Sequence, residues 1–217
     1  MALHVLGLST SPRQGGNTDL LVREALRGAE SAGAAAEYLT LRDLKVGPCV
    51  ECYACAATGL CRVADDFQKV FEKMLAADRL IFGAPIFFMG VCAQAKALID
   101  RCQCLWSRKY LLKQPLYPDG PRDRRALVIA VGGTRSKKMF ECLGMTMKYW
   151  FDVLEMRHVA DLFVNQVDGR GDILKRPEAM KEAFRLGAAL ADASAPVPER
   201  PVSVELFAPS AAGRALS

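Results

Sequence analysis

The chain has 217 residues, 51% of them hydrophobic and 24% charged, the proportions of an ordinary globular protein long enough to bury a sizeable core. Its formal net charge of +5 is too small a surplus to point to nucleic acid, and a bound phosphate or a set of thiolates would cancel much of it. No apolar run reaches about 20 residues without a charge or a breaker, and no leader-like segment opens the sequence, so a cytoplasmic protein without a membrane span is expected.

Residues 3–9 form a short apolar run ending in small polar residues, as a buried parallel strand does before a turn. Ser9-Thr10-Ser11-Pro12-Arg13-Gln14-Gly15-Gly16-Asn17-Thr18 follows, and then Leu20, Leu21, Val22, Ala25 and Leu26 recur at helical spacing. Backbone N–H groups at a helix N-terminus attract anions, hydroxyls add donors, and Arg13 adds a planar charged fork, so this loop suits a phosphate monoester. An ordinary N-cap at Asn17 behind a polar loop is the plainer alternative. The loop has neither the G-x-G-x-x-G fingerprint nor a P-loop lysine, which disfavours tightly held NAD and ATP hydrolysis.

A second strand is expected over 36–41, and a cysteine-rich loop over 47–63 follows it. Cys49, Cys52, Cys55 and Cys61 are spaced C-x2-C-x2-C-x5-C, close enough to wrap one compact centre in the way cysteine-bound iron-sulfur clusters are held. A zinc site usually draws its thiolates from two separated knuckles, and disulfides are uncommon in the cytoplasm. Free or redox-active cysteines without metal remain a further reading. Asp65-Asp66 opens a helix carrying Phe67, Val70, Phe71 and Met74, its acidic residues placed where the helix dipole favours them.

Residues 79–83 give a third strand, and the apolar loop Gly83-Ala84-Pro85-Ile86-Phe87-Phe88-Met89-Gly90 offers a wall for a flat ring or, alternatively, a buried turn. A helix over 91–106, a strand over 126–131 broken by Gly132-Gly133, a helix over 140–154, a strand over 159–164 and a helix over 178–191 complete the alternation. Five strands alternating with helices predict a flavodoxin-like, doubly wound, five-stranded parallel sheet over residues 1–192, with ligands beyond the carboxyl ends of its strands. Phosphate loop and apolar loop then meet at one sheet edge, which favours FMN. Residues 193–217, with Pro196, Pro198, Pro201 and Pro209, are expected to form a tail that makes no helix. Arg122, Arg124 and Arg125 read as solvated surface, with a phosphate or acidic partner as the alternative. Cys92, Cys102, Cys104 and Cys142 read as buried small hydrophobes, and Cys102 and Cys104, two apart on one helix, should face different ways.

Ser11-Pro12-Arg13 with Asn17-Thr18, then Asp65-Asp66, then residues 84–90, then Lys96-Ala97-Leu98-Ile99-Asp100-Arg101 resemble the NADPH-dependent FMN reductase family of flavodoxin-like proteins. With the cysteine run added, the chain is similar to the iron-sulfur flavoprotein branch over roughly residues 3–190. The resemblance implies FMN held at its phosphate by Ser11, Arg13, Asn17 and Thr18, along ribityl and ring by Pro85, Ile86, Phe87, Phe88, Met89 and Gly90, and further by Gly133 and Thr134. It also implies a 4Fe-4S cluster on Cys49, Cys52, Cys55 and Cys61, and a homodimer or homotetramer. The expected activity is that of an FMN-dependent oxidoreductase transferring electrons, with NAD(P)H or ferredoxin as donor and no side chain required as acid or base. A clusterless NAD(P)H-dependent FMN or quinone reductase is one alternative, and a cysteine-based redox-sensing binding protein is another.

Overall fold

The computed structural model describes residues 2–207. In chain order it has β1 (His4–Ser9), α1 (Asn17–Ser31), β2 (Ala35–Thr40), the short α2 (Ala54–Thr58), α3 (Phe67–Ala76), β3 (Arg79–Phe87), β4 (Gly90–Val91), α4 (Ala93–Arg101), α5 (Gln103–Trp106), β5 (Arg125–Val131), α6 (Glu141–Val153), β6 (Arg157–Val164), α7 (Pro177–Ala191) and β7 (Val202–Leu206). The main strands run parallel in the order β2-β1-β3-β5-β6-β7, and β4 pairs antiparallel with the end of β3. Every loop that follows a main strand therefore leaves from one edge, where open α/β sheets bind ligands.

Alternation along the central strands fixes the layers, because neighbouring side chains point to opposite faces. Leu8, Phe82 and Val128 stand in register on one face and join a core with α3, α4 and α6; Val5, Ile81, Leu127 and Ile129 face α1 and α7. β5 is buried along its whole length, as a central parallel strand covered on both faces must be. Helices α1 and α7 touch through a reciprocal pair of glycines. A Cβ on Gly28 would lie 2.0 Å from the Phe184 carbonyl oxygen, and one on Gly187 would lie 1.8 Å from that of Ala25.

The doubly wound sheet is as expected, but it has six parallel strands where the sequence predicted five. The extra strand, β7, lies in the segment read as a tail. Val202-Ser203-Val204-Glu205-Leu206 alternates apolar and polar residues, and Pro201 just precedes it, where a missing N–H does no harm at a strand start. The rest of that tail, 208–217, lies outside the described residues. β3 continues past residue 83 to Phe87 because Ile86 and Phe87 pair with Val91 and Gly90 in a hairpin. The helix expected over 91–106 is broken at Cys102, which ends α4 and starts α5.

The basic run is not a solvated patch. Arg124 and Arg125 are 1% and 6% exposed, with Arg79 at 0%. Arg124 and Arg79 cap helix C-termini whose last carbonyls have no partner within the helix, and Arg125 holds the turn after α7 through Ala195 O (2.8 Å). Arg124 donates to Ala77 O (2.9 Å), Leu154 O and Met74 O, at the ends of α3 and α6; Arg79 Nε reaches Leu190 O (2.9 Å) near the end of α7. Asp123 bridges Arg79 and Arg125 at 3.0 Å each. Arg122 alone is exposed, and it pairs with Asp78.

Candidate functional site

Two of the cavities formed by the described residues hold the sequence-predicted site residues apart from Gly90, and they share no lining residue. The first, of about 720 Å3, lies between the loop after β1, the β3–β4 hairpin and the loops after β5 and β6. Ser11, Arg13, Asn17, Thr18, Pro85, Ile86, Phe87, Phe88, Met89, Gly133 and Thr134 all line it. Gly90 does not; it is paired with Phe87 in the hairpin.

The polar end of this cavity is the start of α1. Gly16 at its N-cap makes no side-chain cap, so the N–H groups of the first turn face the cavity without the acceptor that Ser, Thr, Asp or Asn would supply. A Cβ on Gly16 would lie 3.0 Å from Ser11 Oγ and 3.1 Å from Arg13 O, so the loop packs tightly against this glycine. Behind it, buried Asp19 accepts from Ser9 Oγ, from Gly15 N at 3.0 Å and from Arg42 Nη1 at 3.0 Å, fixing the loop to its helix and to the chain after β2. Asn17 uses its amide to join the loop after β6: Nδ2 donates to Gly169 O (2.9 Å) and Oδ1 accepts from Ile173 N (3.1 Å). Arg13 Nη1 reaches Asp168 O at 2.8 Å.

The apolar end is built from Ile86, Phe87, Val131, Met139 and Val167. At the hairpin tip Phe88 and Met89 have φ of +49° and +63°, the left-handed region that a type I′ turn demands and that side chains disfavour. Phe88 is fully exposed. Asp168, Arg170 and Gly132 also line the cavity and were not anticipated. Residues 165–171, Asn-Gln-Val-Asp-Gly-Arg-Gly after a buried strand, carry the same polar and glycine-rich signal as the loop after β1.

The second cavity, of about 710 Å3, is lined by all four cysteines of the run together with α4, α5 and α6. Cys49 and Cys52 are exposed, and Cys55 and Cys61 half-buried. Arg101 Nε donates to Cys61 Sγ at 3.0 Å, and Ser107 Oγ to Cys55 Sγ at 3.5 Å. Glu51 and Tyr53, on either side of Cys52, both have positive φ (+52° and +55°), a strained backbone of the kind found where ligands are held. Among the described residues no three metal-ligating side chains converge on a single point.

Cys102 and Cys104 line the same cavity, because the break at Cys102 shifts the helical phase that would have parted them. Burial pushes both thiols up, Cys104 to about 12 with the charges of Cys61 and Cys55 adding to it. Cys92 is also buried and contacts Thr10 O (3.2 Å), whereas Cys142 is exposed, contrary to its reading as a buried residue. His4 and His158 pair with Glu37 and Asp161, away from both cavities.

The sequence of residues 3–168 matches the family model described as NADPH-dependent FMN reductase. The chain belongs to that family. It is 44% identical over 103 residues, 48% of this chain, to an iron-sulfur flavoprotein of Methanocaldococcus jannaschii. The chain spans only part of the first curated relatives it matches: 53% of that protein's length, and 65% and 63% of iron-sulfur flavoproteins from Methanosarcina thermophila and Archaeoglobus fulgidus. A Bacillus subtilis protein named as an NAD(P)H-dependent FMN-containing oxidoreductase is 32% identical over 177 residues, covering 80% of this chain and 91% of that one. Among solved structures, a flavone reductase superposes with a TM-score of 0.67 over 93% of this chain and 66% of that chain; at 21% identity it shows the fold alone.

Proposed function

We propose that this FMN reductase family member is an FMN-dependent oxidoreductase that exchanges electrons between its flavin and a 4Fe-4S cluster. The observation that carries the reading is the meeting, in one cavity, of an uncapped helix N-terminus with an apolar wall at the carboxyl edge of the sheet. FMN needs both, a site for its phosphate and a dry slot for its ring. Ser11, Arg13, Thr18 and the backbone around Gly16 and Asn17 would hold the phosphate; Pro85, Ile86, Phe87, Met89, Gly133 and Thr134 would bound ribityl chain and ring. Phe88, exposed at the hairpin tip, and Gly90, in its stem, would shape that wall through the backbone.

Cys49, Cys52, Cys55 and Cys61 would hold the cluster. Four thiols on the wall of one cavity suit it in donor type and number. A cubane takes each thiolate on a different iron, so its ligands need not crowd around one point as those of zinc must. When bound, FMN supplies two-electron chemistry and the cluster single-electron steps. The chain's own residues would orient the ring and exclude water from its slot, and they donate to two of the thiols, Arg101 to Cys61 and Ser107 to Cys55.

NAD(P)H or a reduced ferredoxin is the proposed donor. A homodimer or homotetramer is proposed as well, because exposed Val50, Tyr53, Leu60, Trp106 and Tyr149 surround the cysteine cavity with apolar surface. Among the described residues no helix is long and apolar enough to cross a membrane. The test is anaerobically prepared protein, examined by visible spectrum and then mixed in turn with NADH, NADPH and reduced ferredoxin. Flavin peaks with a broad cluster shoulder, both bleached by at least one donor, are expected. Flavin peaks without the shoulder would favour a clusterless reductase, and neither feature would leave a cysteine-based binding protein.

A further inference from the structure

Both ends of the cysteine loop are tied to one buried guanidinium. The Arg101 side chain, at the end of α4, has no solvent exposure, and all five of its N–H donors are engaged. Nε donates to Cys61 Sγ (3.0 Å), Nη1 to Gly47 O (3.1 Å) and Asp65 Oδ2 (2.7 Å), and Nη2 to Val63 O (2.9 Å) and Asp65 Oδ1 (3.1 Å). Gly47 stands two residues before the first cysteine and Val63 two after the last. Asp65 closes the ring by accepting from Gly47 N and Phe67 N, both at 2.9 Å, and the Phe67 ring lies 4.5 Å from the guanidinium carbon.

A pair serving only to hold α3 against α4 would need Asp65 and Arg101 alone. Here three of the five donors go to the loop instead, one of them to a sulfur. Bringing four thiolates to one centre costs loop-closure entropy, and a loop already pinned at both ends has met most of that cost beforehand. Hydrogen bonds to ligand sulfurs also stabilise the more negative, reduced form of a cluster.

We propose that Arg101 is a positioning residue for the cysteine run: it fastens residues 47–63 before any metal arrives, and its Nε–H to Cys61 raises the reduction potential of the centre held there. The second half rests on the cluster reading above; the first does not.

The test compares wild type with Arg101→Lys, whose ammonium keeps the charge but, drawn to the Asp65 carboxylate, leaves Cys61 and both carbonyls. In metal-free, FMN-bound protein followed by hydrogen exchange and mass spectrometry, peptides covering 45–66 should exchange at least about tenfold faster in the variant, with β5 and α7 unchanged. Unchanged exchange in 45–66 would overturn the fastening role. After anaerobic loading with iron and sulfide, a redox titration should show a lower midpoint potential in the variant; equal potentials would overturn the sulfur contact. If the wild type takes up no iron and sulfide, the cluster reading and the potential effect fall together, and the exchange result still decides the fastening. Should Arg101→Lys lose FMN binding and so fail to fold, Asp65→Asn is followed by hydrogen exchange with the same expectation for peptides 45–66. It leaves the Nε–H on Cys61 and removes a negative charge, so its midpoint potential should not fall below wild type, and a fall would overturn the sulfur contact.

Discussion

Replacing Arg13 with Ala removes one of the two guanidinium groups that line the first cavity. The other belongs to Arg170, whose Nη2 lies 3.4 Å from where a Gly15 Cβ would stand. A hydrogen bond between charged partners contributes about 1.5–3 kcal/mol, roughly 10- to 150-fold in affinity. Arg13 is exposed and Arg170 stays, so the lower part of that range is expected, about 10- to 30-fold weaker FMN binding. The variant also loses the bond to Asp168 O, which could loosen the cavity for any flavin. Riboflavin separates the two effects, since it has the ring and ribityl chain but no phosphate. Fluorescence titration of apoprotein should show FMN affinity falling while riboflavin affinity changes by less than about twofold. Unchanged FMN affinity, or equal losses for both ligands, would refute the phosphate assignment.

Replacing Phe88-Met89 by Asn-Gly gives the turn the residues its positive φ angles favour, and should stabilise the protein by about 1–2 kcal/mol, or about 3–6 °C in Tm by calorimetry. FMN affinity should fall in the same variant, because both residues line the cavity; an unchanged Tm would show that the tip is not strained. The Asp123 carboxyl is held below the usual range chiefly by its hydrogen bond to Arg125, against burial and with Arg79 assisting. A carboxyl depressed in the folded state contributes stability that is complete above its unfolded pKa, near 3.9, and is lost as pH falls through its folded value. Asp123→Asn should therefore melt below wild type at pH 7, and the gap should close as pH falls through the folded value; a gap independent of pH would contradict the assignment. In metal-free protein at pH 8, iodoacetamide should modify exposed Cys49, Cys52 and Cys142 quickly and Cys102 and Cys104 at least about 100-fold more slowly, read by peptide mass spectrometry. Comparable rates would mean that those two thiols are not buried.

The parts of the fold legible in the sequence are those where one residue type has one physical use. A strand such as Arg125–Val131, buried on both faces, can only read as an apolar run, and a helix such as Asn17–Ser31 shows its period through Leu21, Val22, Ala25 and Leu26. The place of the loop after β1 on the wall of a cavity was legible for the same reason, since its hydroxyls, glycines and arginine combine where a strand meets a helix. Arg124 and Arg125 were misread because a guanidinium suits either water or the unpaired carbonyls of a helix end or turn, and only tertiary packing chooses between them. β7 was hidden by prolines at 201 and 209, between which five residues, Val202–Leu206, pair as a strand. The contribution of residues 165–171 depends on β6 lying beside β5, a neighbour relation that one-dimensional spacing does not contain. The pinning of the cysteine loop by Arg101 spans 54 residues to Gly47 and 40 to Cys61, beyond any local pattern.

Iron, sulfide and FMN contents of anaerobically prepared wild type and Cys55→Ala test the central claim most directly. Cys55 is the third of the three closely spaced thiols, and its cavity shares no lining residue with the proposed flavin cavity among those described. Wild type should carry FMN with about four iron and four sulfide per chain, and the variant should lose the iron and sulfide while keeping FMN. Full iron and sulfide in the variant, or zinc without sulfide in the wild type, would contradict it.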